Sequence, residues 1–212
     1  MNNTTNGQKT LEMFYDFSSP YAYLGHQQAQ QVAAAANAPF QPRPFLLGGL
    51  FKALGSAMVP ILEAVPQKRR MLDLDLHRLA ELHGLPMRWP SRFPMNTVLP
   101  LRVVTQLEGE AHLRAMSAIF RAYWGDDRDI SDAKVLTDVL ASAGFTSDEV
   151  AAWLAAAEQA DVKAALRGAT EEAFARGAIG APTFFVGDLC VWGQDRFALV
   201  DRMLRGWRPK VG

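Results

Sequence analysis

Phe14-Tyr15-Asp16-Phe17-Ser18-Ser19-Pro20-Tyr21-Ala22-Tyr23-Leu24 runs from an aromatic, apolar segment through Ser-Pro into a region rich in Ala and Gln. Leu11 to Phe17 is apolar and short, with Asp16 near its end, and reads as a buried strand. Pro20 at a first helical position, with Ser18 or Ser19 before it, opens a helix running to about Ala36. Asn37-Ala38-Pro39 stops that helix. Phe40-Gln41-Pro42-Arg43-Pro44-Phe45-Leu46 looks extended, its prolines suiting a sheet edge or a strand end.

The next strand candidates lie far along the chain. Thr183-Phe184-Phe185-Val186 and Leu189-Cys190-Val191-Trp192 flank Gly187-Asp188, a strong two-residue hairpin signal. A last helix follows over about Arg196 to Gly206. Between Gly48 and Arg176 the pattern is helical, with segments predicted at Gln67–His83, Thr97–Leu107, His112–Trp124, Asp132–Ala143, Ser147–Ala157 and Asp161–Arg176. A β-α-β half and a β-β-α half separated by about six helices is the layout of an α/β thioredoxin-like fold with a large all-helical insertion. The right-handed crossover rule puts both halves in one sheet. The expected division is 10–47 with 178–212 as a discontinuous thioredoxin-like domain and 48–177 as the helical insertion. There is no internal repeat.

Composition narrows the function classes. The chain has 212 residues, 49% of them apolar, and Lys plus Arg balance Asp plus Glu at 22 each. That balance removes any bulk electrostatic reason to expect nucleic acid or an anionic membrane as partner, and leaves a small ligand as the default. The lone Cys190 excludes an intrachain disulfide and a Cys-based zinc site, and it fits a reducing compartment. Met1 to Thr10 is polar, and no apolar run approaches the roughly 20 residues of a membrane span, so a cytoplasmic protein is expected.

Three segments carry candidate chemistry. In thiol-disulfide exchange proteins of this fold the first strand-to-helix junction holds Cys-x-x-Cys, because the helix N-terminus stabilises the first sulfur as a thiolate. Here those four positions are Ser19-Pro20-Tyr21-Ala22. The junction can still hold an anion, but a thiolate used there comes from outside the chain, with glutathione the obvious source. The Ser19 hydroxyl would add a charge-assisted hydrogen bond to that sulfur and lower its pKa; an ordinary N-cap is the alternative. In Gly180-Ala181-Pro182-Thr183 the proline precedes the third strand, where a cis X-Pro bond would turn the Ala181 backbone toward a peptide ligand lying as an extra strand. A trans proline starting an edge strand is the alternative. In Trp192-Gly193-Gln194-Asp195-Arg196, Gln194 and Asp195 can cap the last helix, and Asp195 is also placed to receive the ammonium of a γ-glutamyl group.

Phe14 to Leu24, Arg43-Pro44-Phe45-Leu46-Leu47-Gly48-Gly49-Leu50-Phe51-Lys52, Ile179 to Phe184 and Trp192 to Arg196 together resemble the 2-hydroxychromene-2-carboxylate isomerases and the related kappa-class glutathione transferases, DsbA-like proteins. The resemblance spans residues 10 to 207 in order. It implies that Ser19 activates the glutathione sulfur, that Ala181-Pro182 binds the peptide backbone, and that Asp195 with Gln194, next to Arg196, holds the γ-glutamyl end. Lys52 matches a lysine facing an aromatic substrate and its carboxylate. Where the family has Gly-Asn, this chain has Gly55-Ser56, so an amide that donates and accepts becomes a shorter hydroxyl. Trp89, in a Pro-punctuated loop from Trp89 to Asn96, matches a wall of the substrate site, or is a plain connection between helices.

The implied activity is glutathione-dependent isomerisation of 2-hydroxychromene-2-carboxylate to trans-o-hydroxybenzylidenepyruvate, a step of aromatic catabolism such as naphthalene degradation. The partners implied are glutathione and a small aromatic carboxylate. Relatives are often dimers, so a homodimer is a further expectation. A kappa-like transferase that consumes glutathione is the neighbouring reading, and a non-catalytic peptide-binding module is the one from another class. The remaining candidates carry no site: His26, His77, His83 and His112 lack metal-ligand spacing and read as packing or surface. Cys190 reads as a buried, inert thiol. Gly48, Gly49 and Gly55 do not fit a phosphate loop. Trp124, Trp153 and Trp207 read as core or interface.

Overall fold

The computed structural model describes residues 9–59 and 64–210, so the polar start of the chain, Met1 to Gln8, and the last two residues of the expected sheet domain lie outside it. The chain begins with β1 (Leu11–Tyr15), α1 (Pro20–Ala35) and β2 (Phe40–Pro44) and ends with β3 (Thr183–Val186), β4 (Leu189–Trp192) and α9 (Phe197–Leu204). Between them come α2 (Leu47–Leu54), α3 (Pro66–Leu82), α4 (Val98–Val104), α5 (Gly109–Trp124), α6 (Ala133–Ser142), α7 (Ser147–Ala156) and α8 (Ala160–Ala175). The strands form one sheet in the order β2-β1-β3-β4, with β1 parallel to β2 and antiparallel to β3, and β3 antiparallel to β4. This is the thioredoxin-like architecture with helices inserted between β2 and β3.

β1 sits inside the sheet with both faces covered, which is why Leu11, Met13, Phe14 and Tyr15 are all buried and its one charged residue, Glu12, is ion-paired. Met13 and Tyr15 share a face with Phe184, which opposes Met13 across the β1–β3 pair. There Tyr15 and Phe17 pack edge-on to each other, Phe17 packs against Phe120 of α5, and Phe184 meets Phe197 of α9. Phe14 points the other way, against Phe45 and Phe185. Arg43 and Arg176 lie over that ring. Arg43 also pairs with Glu12 at 2.8 Å and with Glu172 of α8. Arg176 bonds Glu12 at 2.6 Å and Glu172 at 2.9 Å. This half-buried network fastens α8 to the sheet, so an inserted helix roofs one sheet face.

Two features depart from the sequence reading. The strand expected to reach Phe17 ends at Tyr15, and α2 is a helix that the patterning did not separate out. Gly48 and Gly49 in its first turn weaken its intrinsic propensity. Its N-cap residue Leu46 has no capping side chain; instead the Leu47 N–H donates to Oδ2 of Asp16 at 2.8 Å and the Leu46 N–H to Thr170 Oγ1 at 2.9 Å. The start of α2 is therefore capped from β1 and α8, a tertiary device invisible to local pattern. The Gly187-Asp188 turn forms as read, with Gly187 at φ +65°, a conformation few other residues adopt.

His26 and His112 are packing residues buried under the sheet. His26 stacks on Phe120, with centroids 5.1 Å apart, and its Nδ1 meets the Tyr23 carbonyl. His112 Nε2 faces the Tyr15 hydroxyl at 2.8 Å and its Nδ1 the Leu107 carbonyl at 3.0 Å. Burial lowers the pKa of each imidazole from its ordinary 6.5 to about 4. The unfolded chain binds these protons near pH 6.5 and the folded one only near 4. Their contribution is thus complete above pH 6.5 and is lost as pH falls toward 4, by up to roughly 3 kcal/mol per ring. Urea unfolding midpoints are expected to drop steeply between pH 7 and 4.5, and His26→Phe, which keeps the stack and cannot titrate, should flatten that slope. An unchanged slope would contradict the assignment.

Candidate active site

Ser19 is the N-cap of α1, 4% exposed, with Pro20 at the first helical position. Its hydroxyl accepts from the Ala22 N–H at 3.2 Å and donates to the Ala181 carbonyl at 2.8 Å. The Ala181-Pro182 bond is cis. The two motifs, 162 residues apart in sequence, are therefore in direct contact at one end of the sheet. No described residue accepts from the Tyr21 or Ala181 N–H, so two backbone donors at this junction are open to a ligand. The hydroxyl has one proton, and Ala181 holds it. To donate to an incoming anion, Ser19 turns from that carbonyl.

Two cavities flank the junction. One, about 310 Å³, is lined by Tyr21, Ala181, Trp192, Gln194, Asp195 and Arg196. The Trp192 ring lies close against Gly180, where a Cβ would stand 2.6 Å from the indole nitrogen. Gln194 is buried and Asp195 and Arg196 are exposed, joined at 2.9 Å. Neither Gln194 nor Asp195 caps α9: the N-cap position falls on Arg196, without a side-chain bond. That corrects the capping role read for them and leaves both on the cavity wall.

The second cavity, about 320 Å³, is lined by Ser18, Phe51, Met58 and Asn96, with Asp16 at its wall. Asp16, 1% exposed, accepts from the Ser18 N–H at 2.9 Å, the Thr97 hydroxyl at 2.7 Å and the Leu47 N–H at 2.8 Å. Burial raises its pKa, and these three donors oppose the rise. Sequence reasoning passed over this residue; an acid directly after a largely apolar strand was the available signal.

The remaining predicted residues are more dispersed. Lys52 and Ser56 are exposed on and just after α2, beside Phe51 but outside the second cavity's lining. Trp89 packs against Phe93 and Trp124 and lines a third cavity with residues of α3. Trp124 is core, and its indole N–H donates to the Phe17 carbonyl at 2.8 Å. Cys190 corrects the expectation of a buried thiol: it is exposed on β4, on the face opposite Val191. Its pKa is nonetheless raised by partial desolvation, which keeps it a poor nucleophile. Among the described residues no helix is long and apolar enough to cross a membrane.

A cysteine-free strand-to-helix junction facing a cis-proline on a β2-β1-β3-β4 sheet defines a thioredoxin-type site without its own redox couple. The chain matches the DSBA-like thioredoxin domain over residues 10–205 and belongs to that family. Within it, the chain is similar to the 2-hydroxychromene-2-carboxylate isomerase of Sphingobium xenophagum, at 27% identity covering 92% of this chain and 98% of the relative. It is similar at 26% identity to glutathione S-transferase kappa 1 of Rattus norvegicus, covering 92% and 91%. A solved structure of 2-hydroxychromene-2-carboxylate isomerase shares the fold with a TM-score of 0.76 at 22% identity, covering 92% of this chain and 94% of that one.

Proposed function

We propose that this protein is a glutathione-dependent isomerase that interconverts 2-hydroxychromene-2-carboxylate and trans-o-hydroxybenzylidenepyruvate. The observation that carries the reading is the Ser19–Ala181 contact: a hydroxyl and two open backbone N–H groups at the positive end of α1, beside a cis-proline and between two cavities. The similarity to isomerases over nearly their whole length supports it. Bound there, glutathione supplies a thiolate that adds reversibly to a conjugated carbon of the ring-opened substrate, so that the former double bond can rotate before the sulfur leaves unchanged.

In this reading Ser19 donates to the sulfur and the α1 dipole favours its charge. Ala181 and Pro182 present backbone to the cysteinyl part, and the exposed Asp195 carboxylate, with Gln194 and Arg196 beside it, holds the γ-glutamyl end. The apolar cavity of Phe51 and Met58 takes the aromatic ring, with Lys52 and Ser56 near its rim and Trp89 beyond. The protein would act in the cytoplasm, as a homodimer, in aromatic catabolism.

The similarity to kappa-class transferases favours one second reading, in which the thiolate is consumed by conjugation. A spectrophotometric assay of 2-hydroxychromene-2-carboxylate with and without glutathione separates the two. Isomerisation that requires glutathione and leaves its concentration constant is expected. Stoichiometric loss of glutathione would replace the isomerase with the transferase, and turnover without glutathione would end both.

A further inference from the structure

The third cavity, about 460 Å³, is lined by Pro66, Arg69, Arg70 and Asp73 of α3 and by Trp89. Those α3 positions follow the i, i+3, i+4, i+7 spacing of one helix face. On a core-facing helix that stripe is apolar; here it carries two guanidinium groups and shares the lining of the cavity with an indole. Neither arginine has an ion-pair partner among the described residues. Asp73, the natural i+4 partner of Arg69, lies instead 3.7 Å from His77. Among the described residues that line the cavity, two cations stand against one carboxylate, beside an indole.

The cavity is also mechanically tied to the strand-to-helix junction. Trp89 packs edge-on against Trp124, with centroids 5.9 Å apart, and Trp124 holds the Phe17 carbonyl, two residues before Ser19. The loop that starts at Trp89 continues to Pro94, Asn96 and Thr97, which line the second cavity. By contrast, no cationic side chain lines that second cavity among the described residues.

We propose that Arg69, Arg70 and Trp89 form a binding site for planar aromatic acids, the two guanidinium groups taking the anionic oxygens while the ring lies against the indole. A forked guanidinium matches a carboxylate in two parallel hydrogen bonds, and an indole offers a large flat surface that a simple inorganic anion does not use. The site needs no glutathione and stands whether or not the isomerase reading does.

The test is calorimetric titration of the full chain, without glutathione, by 2-naphthoate, by its neutral amide 2-naphthamide, and by inorganic phosphate. Naphthoate is expected to bind at least about tenfold more tightly than the amide, the worth of a charge-assisted pair in a partly exposed site. Arg69→Gln with Arg70→Gln should reduce naphthoate to the amide's affinity, Trp89→Leu should weaken both ligands, and Lys134→Gln, at an exposed position of α6, should change neither. Phosphate should not displace naphthoate. Equal binding of acid and amide, naphthoate affinity indifferent to the two arginines, full displacement by phosphate, or no binding at all would each overturn the proposal. Isomerase activity with no effect of the arginines on naphthoate would sink this site alone, while charge-selective binding in a protein without isomerase activity would sink the other reading alone.

Discussion

Ser19→Ala is expected to lower the turnover of 2-hydroxychromene-2-carboxylate by about 100-fold while changing glutathione affinity only a few fold. The magnitude is that of losing a charge-assisted hydrogen bond of roughly 2–3 kcal/mol to the bound sulfur anion, which lowers the ionised fraction of the bound thiol in proportion. In the proposed reading glutathione is held by Ala181, Gln194, Asp195 and the backbone donors together, so a single hydroxyl would carry little of its affinity. The same substitution removes the N-cap acceptor of Ala22, which costs about 1 kcal/mol of stability. The variant therefore remains folded under assay conditions. Thermal unfolding alongside steady-state kinetics checks both halves, and full turnover in the folded variant would remove Ser19 from the mechanism.

Asp16→Ala is the second large effect. The Asp16 carboxylate satisfies three donors from three parts of the chain: the Ser18 N–H at the junction, the Leu47 N–H at the start of α2 and the Thr97 hydroxyl. Removing it leaves the buried Thr97 hydroxyl and two part-buried N–H groups without their acceptor, and each stranded donor is expensive. Part of that loss is offset because a desolvated charge disappears with the carboxyl. A net destabilisation of roughly 2–4 kcal/mol is expected from the unpaired donors. Because α2 then loses the anchor that replaces a local cap, substrate KM should rise more than glutathione Kd. Asp16→Asn should fall between the two, since its amide nitrogen faces the Leu47 donor. Chemical denaturation measures the first effect and separate titrations the second; an Asp16→Ala protein as stable as the parent would contradict the clamp.

Much of this was legible in the sequence because the informative signals are local. Ser19-Pro20 announces a helix start by itself, Gly187-Asp188 a hairpin, and the mixed aromatic run of β1 a doubly covered strand. The long helical stretch then leaves only one sensible place for the two sheet halves. What escaped depends on residues far apart in sequence. The α2 helix is capped by Asp16 and Thr170, which no window around Gly48 contains. Asp195 looked like a cap because it precedes a helix, yet the chain turns so that it pairs with Arg196 beside a cavity. Cys190 looked buried because its neighbours Val191 and Leu189 are apolar, but alternation puts it on the opposite sheet face from Val191. Trp89 lies in a loop that its prolines mark in the sequence, while the arginines that line the same cavity lie on a helix about twenty residues earlier, with no local sign that they share it.

In the proposed reading the start of α1 holds a borrowed sulfur as its anion. The direct measurement is the ultraviolet absorbance of enzyme-bound glutathione thiolate as a function of pH, in the parent and in Ser19→Ala. The bound thiol is expected to ionise well below the free one, with a midpoint that moves back toward the free value when the hydroxyl is removed. A bound thiol titrating like free glutathione in both proteins would contradict it.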